Sequence, residues 1–143
     1  MIIRNMLETD LSAVHEMECC IFSKPWSMND FRESIKEEQN LYLVVEEKDE
    51  ITAYCGLWGV AGEGQINNVA VKKDLRGRGI AYAMLRDLIE RGKEQGLTSF
   101  TLEVRMSNLP AITLYHKLGF EDAGIRKNFY EAPAEDALIM WLR

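Results

Sequence analysis

The densest chemistry in the chain lies between Val69 and Tyr82. An apolar run, Val69-Ala70-Val71, gives way to Lys72-Lys-Asp-Leu75 and then to Arg76-Gly77-Arg78-Gly79, after which helical periodicity begins at Ile80. Glycines at such a strand-to-helix junction let the backbone come close to a ligand. The free amides of the first turn, at Ile80, Ala81 and Tyr82, together with the positive end of the helix dipole, suit an anion, above all a diphosphate. Arg76 and Arg78 add charge. A Walker loop is excluded, because Gly79-Ile-Ala81 supplies neither the phosphate lysine nor the magnesium hydroxyl. A dinucleotide fingerprint fits poorly, since Tyr82 stands at the third glycine and Lys72 to Arg76 separate the glycines from the strand. It keeps one point of support, Glu103 as a ribose ligand.

Further along, Phe100, Leu102 and Val104 alternate with Thr101, Glu103 and Arg105, so Glu103 lies on the polar face of a half-buried strand. By alternation alone it is a solvated strand carboxylate. Asn108 precedes Pro110 at the start of a helical run and reads as its N-cap. Tyr115 on that run is by type a packing residue with a phenol donor to spare. Cys19, Cys20 and Cys55 are odd in number and include an adjacent pair, which points to a reducing, cytosolic compartment. With no motif placing a histidine beside them, Cys19 and Cys20 read as helix residues rather than nucleophiles. His15 and His116 have no partners at zinc spacing, so no metal is expected.

These residues need a scaffold, and the periods describe one. Ile2 to Arg4 opens as a strand. Thr9 or Asp10 is placed to cap a helix carrying Leu11, Val14, Met17 and Ile21 on one face. Ser27 and Asp30 form a capping box for a second helix with Phe31 and Ile35 inward. Leu41–Glu46, Ile51–Val60 and Gln65–Val71 read as an antiparallel meander. A helix from Ile80 ends near Gly96, a strand spans Ser99–Val104, a helix after Asn108 stops at Gly119, and Phe120–Phe129 and Asp136–Leu142 close as strands. The pattern is that of one α/β domain over 1–143.

Composition narrows the partners. The chain has 143 residues, 47% hydrophobic, with 17 Lys and Arg against 23 Asp and Glu, a net charge of −6. Nucleic-acid binders carry the opposite sign, so a basic peptide is the better partner. No apolar run approaches the roughly 18 to 20 residues of a membrane span, and a soluble, unprocessed, cytoplasmic protein is expected.

Taken together, Arg76-x-x-Gly79-x-Ala81, Leu102-Glu-Val-Arg105, Asn108-x-x-Ala111-x-x-Leu114-Tyr115-x-x-x-Gly119-Phe120, Pro25-Trp-Ser27 and Arg126-x-Asn128-Phe-Tyr130 with Glu135-Asp-Ala137 resemble the GCN5-related N-acetyltransferases. The spacing is similar to their RimI-like branch, bacterial enzymes that acetylate the N-terminal alanine of a small-subunit ribosomal protein. The resemblance covers essentially the whole chain. It implies an acyl-CoA N-acyltransferase fold, with a mixed, splayed sheet of about seven strands and helices on both faces. Acetyl-CoA is the implied co-substrate, bound by the backbone of Val69, Ala70 and Val71, by the loop from Arg76 to Tyr82, and by Asn108. Glu103 becomes the general base and Tyr115 the acid for the departing thiolate. Trp26 and Tyr130 become walls of the peptide site. Phe129 departs from the tyrosine usual in the paired aromatic, and Glu131-Ala-Pro-Ala134 makes a shorter turn. The competing expectations are the same chemistry on a lysine side chain or small-molecule amine, a CoA-binding module without turnover, and a dinucleotide-binding domain.

Overall fold

The computed structural model describes residues 1–143. In chain order the elements are β1 (Ile2–Asn5), α1 (Leu11–Ile21), α2 (Met28–Lys36), β2 (Leu41–Glu47), β3 (Glu50–Val60), β4 (Glu63–Val71), α3 (Ile80–Glu94), β5 (Ser99–Arg105), α4 (Leu109–Lys117), β6 (Glu121–Tyr130) and β7 (Glu135–Leu142). The seven strands form one sheet in the order β1-β2-β3-β4-β5-β7-β6. Every neighbouring pair is antiparallel except β4 and β5, which run parallel.

Helices cover both faces. Leu11, Val14 and Met17 of α1 and Phe31 of α2 pack on Tyr42, Val44, Tyr54 and Ala70. On the other face Ile80, Met84, Leu85, Leu88 and Ile89 of α3 meet Leu43, Val45, Cys55, Phe100 and Met140. Burial on two sides explains why β2 reads as an unbroken apolar run, Leu41 to Val45, with every member buried. Each fully buried Leu or Val adds about 1.5–3 kcal/mol.

The helix signals hold at α2, where the Ser27 hydroxyl accepts from the Asp30 amide at 3.0 Å and the Asp30 carboxylate accepts from the Ser27 amide at 2.9 Å. At α1 the expected cap differs. Thr9 and Asp10 lie in a short 3₁₀ turn, Glu8–Asp10; Asp10 stands at the N-cap position of α1, but its side chain makes no cap bond there. Asp10 instead accepts from the Leu7 amide at 2.8 Å and from both terminal nitrogens of Arg4 at 2.7 and 2.9 Å. A buried carboxylate with a guanidinium within reach gains more from that pair than from one cap bond. The turn into β4 also falls earlier than expected, at Ala61-Gly62, with Gly64 inside the strand.

The sheet is divided at its centre. β4 and β5 pair only at Glu63–Ser99, Gly64–Phe100 and Gln65–Thr101. A bulge then sets Gly56 opposite Asn68 and Leu57 opposite Ile66, so Asn67 has no partner on β3. Such an extra residue bends its strand, and from there β4 and β5 diverge. β5 keeps its pairing with β7 through Arg105–Ala137. A gap opens between two strands that both carry predicted site residues.

Candidate active site

A cleft of about 760 Å³ passes through this gap. Ile66 to Val69 of β4 form one side and Leu102 to Arg105 of β5 the other, with Asn108 and Tyr115 near one mouth. Glu18, Phe22 to Lys24 and Trp26 from the α1–α2 segment, and Phe129 to Pro133 from the β6–β7 hairpin, frame the opposite mouth. The structure thus brings Glu103, Tyr115, Asn108, Val69, Trp26 and Tyr130 to one cleft.

Glu103 and Tyr115 approach from opposite faces. Leu102 and Val104 pack with Tyr115 in the core beneath α3 and α4, so strand alternation turns Glu103 to the other face. Its side chain is 31% exposed, with Arg126 Nη2 at 3.9 Å. Tyr115 is 7% exposed and its ring meets Phe120 edge-on at 5.9 Å. Burial, reinforced by Tyr130 and Cys55, pushes the Tyr115 phenol well above its ordinary pKa. It remains a proton donor at any physiological pH. Asn108 is the N-cap expected, its side-chain oxygen accepting from the Ala111 amide at 3.3 Å.

The gap-facing edge of β4 carries unused amides. Lys72 donates to the Thr52 carbonyl of β3 at 2.9 Å. Alternation then gives the Ala70 amide to β3 as well, and turns those of Val69 and Val71 into the gap. Of the three residues expected to offer backbone here, Ala70 does not.

The glycine loop sits beyond the end of β4. Gly77 and Gly79 both have φ of +80°, and an added Cβ at either would meet nothing within 4 Å. Backbone conformation, not crowding, selects glycine. No side chain caps α3, and its first helical bond runs from the Ala83 amide to the Gly79 carbonyl at 3.1 Å. The amides of Ile80, Ala81 and Tyr82 are left without helical acceptors, the condition for anion binding. Arg76 is partly engaged, since its Nε donates to the Val71 carbonyl at 3.2 Å.

Two residues given no role by the sequence hold the mouth lined by Trp26 and Tyr130. Glu18 is 3% exposed; one carboxylate oxygen accepts from the Tyr54 hydroxyl at 2.5 Å and the other from the Trp26 amide at 2.9 Å. The Trp26 ring is backed by Phe31 at 5.1 Å and Trp58 at 6.0 Å. Glu18 lies four residues after Val14 and seven after Leu11, a carboxylate within an apolar stripe, and that misfit was the available signal. Arg105 shares Glu103's face of β5 and reaches the β6–β7 tip. The Tyr130 hydroxyl donates to the Glu103 carbonyl at 3.2 Å, so this wall is bonded to the strand that carries Glu103. His15 does lie beside a cysteine, its Nε2 3.4 Å from Cys19 Sγ. Their spacing of one helical turn places this pair on the exposed side of α1, outside the cleft.

A sheet divided between β4 and β5, a glycine loop opening a helix after β4, and a carboxylate and a phenol lining the gap are the features of an acetyltransferase. The chain belongs to the acetyltransferase (GNAT) family, whose sequence model matches residues 11–120. Among its relatives, a Bacillus subtilis (strain 168) protein provisionally named a ribosomal protein bS18-alanine N-acetyltransferase is 40% identical, over 98% of this chain and 93% of the relative. The Escherichia coli (strain K12) ribosomal protein bS18-alanine N-acetyltransferase is 35% identical, over 98% of this chain and 95% of its own. The crystal structure of the ribosomal-protein-S18-alanine N-acetyltransferase from Escherichia coli superposes with a TM-score of 0.91 at 34% identity, covering 99% of this chain and 92% of that one.

Proposed function

We propose that the protein transfers acetyl from acetyl-CoA to the α-amine of an N-terminal alanine on a small-subunit ribosomal protein. The observation that carries this is the entry of Glu103 and Tyr115 into one cleft from opposite faces of the sheet. Acetyl-CoA supplies a thioester carbonyl and a thiolate leaving group. The residues present fit it: amides at Val69 and Val71 aim into the gap, and the start of α3 offers unpaired amides with Arg76 and Arg78 beside it.

The chemistry is direct attack with both reactants held together, which removes the entropy of their encounter. Glu103 takes a proton from the amine, through water, as the C–N bond forms. Tyr115 gives its proton to sulfur as the C–S bond breaks. An α-amine with a pKa near 8 needs less help than a lysine near 10.4. The Val69 and Val71 amides polarise the carbonyl. Trp26 and Tyr130 bound the peptide, and the net charge of −6 draws a basic tail. The cytoplasm is where it would meet that tail.

A peptide with the N-terminus of the small-subunit protein, assayed beside lysine-containing controls and mapped by mass spectrometry, tests the assignment. The acetyl group is expected on the α-amine. Modification confined to lysine would overturn it.

A further inference from the structure

We infer that Arg105 is the positioning residue of the acceptor wall, setting the β6–β7 tip, and with it Tyr130, against the strand that carries Glu103. The proposal rests on the acceptor amine entering at the mouth bounded by that tip.

The tip is only partly held by its own hairpin, through the Asn128 amide donating to the Asp136 carboxylate at 2.8 Å, and by an exposed ion pair between Lys24 and Glu131. Its residues Glu131 to Ala134 lie between strands β6 and β7, whose pairing jumps from Arg126–Ala137 to Tyr130–Glu135. Asn128 and Ala132 adopt positive φ of 54° and 50°, unfavourable for residues with a Cβ. β6 is an edge strand, exposed along nearly its whole length. A conformation of this kind persists only when the surroundings over-determine it.

Arg105 does so from four directions. Its Nη1 donates to the Pro133 carbonyl at 2.9 Å and to a Glu135 carboxylate oxygen at 3.3 Å. Its Nη2 donates to the Glu131 carbonyl at 3.2 Å. Its guanidinium lies over the Tyr130 ring, 4.3 Å from the centroid. The other Glu135 oxygen accepts from the Ser107 amide at 2.6 Å, which ties the tip to the turn beyond β5. One planar fork thus binds two carbonyls, one carboxylate and one aromatic face, a set that a lysine ammonium cannot reproduce. Arg105 is two residues from Glu103 on the same face of β5, so distance from base to wall is fixed through one strand. None of these partners belongs to the cofactor end of the cleft.

Steady-state kinetics with acetyl-CoA and acceptor varied separately test this, with calorimetric acetyl-CoA binding and thermal melting alongside. Arg105→Gln should raise the acceptor KM tenfold or more, leave the acetyl-CoA Kd within about twofold, and leave a folded protein. Arg105→Lys should recover little of the lost KM. An unchanged acceptor KM, a parallel loss of acetyl-CoA affinity, or full rescue by lysine would overturn the proposal. Should Arg105→Gln not fold, Glu135→Gln keeps both carbonyl bonds, removes the paired charge, and should raise the acceptor KM less but in the same sense. Acceptors are taken from a panel of α-amine peptides, lysine peptides and small amines. Failure of the wild type on α-amines then overturns the proposed substrate, while the Arg105 effect is read on whichever amine the wild type acetylates.

Discussion

The two ends of the cleft are built on different principles. The end proposed for acetyl-CoA is mostly backbone from one stretch, two gap-facing amides of β4, two glycines at positive φ and the open first turn of α3, with side chains added by Arg76, Arg78 and, from α4, Asn108. The acceptor end is side chains bonded across long sequence separations: Glu18 to Tyr54 over 36 residues, Arg105 to Glu131 over 26, and Lys24 to Glu131 over 107. In the proposed reaction, backbone recognition serves a co-substrate that does not change. A wall held by side chains can be retuned by substituting one anchor, which suits the end where acceptors differ. The contrast teaches that mutations should separate cleanly, those in the loop touching acetyl-CoA alone and those at the anchors touching the acceptor alone.

The largest effect belongs to neither end but to their meeting point. Glu103→Gln removes the carboxylate proposed as the base and keeps its shape, and general-base catalysis contributes about 10²–10⁴-fold. Turnover, followed by thiol release, should fall by about that factor while acetyl-CoA binding persists. In the wild type, no loss of rate from Tyr115 ionisation is expected up to the ordinary tyrosine pKa of about 10, because burial raises its folded pKa and the donor form survives to higher pH. Undiminished turnover in the glutamine variant across pH would make the cleft a site without this base.

Next comes the anchor of the other acceptor wall. Glu18→Ala leaves the buried Tyr54 hydroxyl and the Trp26 amide without their acceptor, at about 1–3 kcal/mol for each group. Melting and the acceptor KM should both suffer. Glu18→Gln tests whether hydrogen bonding rather than charge is the cause, because its carbonyl oxygen accepts from Trp26 while its amide donates to a Tyr54 hydroxyl turned the other way. It should restore most of the stability and the acceptor KM. If acetyl-CoA affinity fell with either variant, the division between the two ends would fail.

The same division explains what the sequence made legible. Elements and their order followed from periodicity, and the loop with its two positive-φ glycines ahead of an uncapped helix stood out as glycines and arginines in one short segment. Strand alternation and a family resemblance singled out Glu103 and Tyr115, and the fold brings both to one cleft. The acceptor anchors were not found, because a side chain's role there depends on what the fold brings to it. Glu18 differs from a solvated helix glutamate only by sitting in a stripe with Leu11 and Val14, and Arg105 differs from any strand arginine only by a tip that begins 26 residues later. The capping of α1 failed for a related reason. Asp10 met Arg4, which pulls its carboxyl below the usual range with help from the Leu7 amide, and a local rule about caps does not know of that partner.

The smallest effect tests the cofactor end by itself. Gly79 is at φ +80° with open space around its would-be Cβ, so Gly79→Ala introduces no clash and only a conformational penalty of about 1–2 kcal/mol. The loop is unpacked there, and it can relax toward negative φ rather than absorb the strain. Relaxation swings the Ile80, Ala81 and Tyr82 amides away from a common focus, so the penalty should appear as weaker acetyl-CoA binding, roughly five- to thirty-fold by calorimetry. Melting in the absence of acetyl-CoA should change little, and the acceptor KM at saturating acetyl-CoA should not move. A variant that binds acetyl-CoA normally would mean that the charges of Arg76 and Arg78, not the aligned amides, carry the affinity, and the backbone character assigned to this end would be wrong.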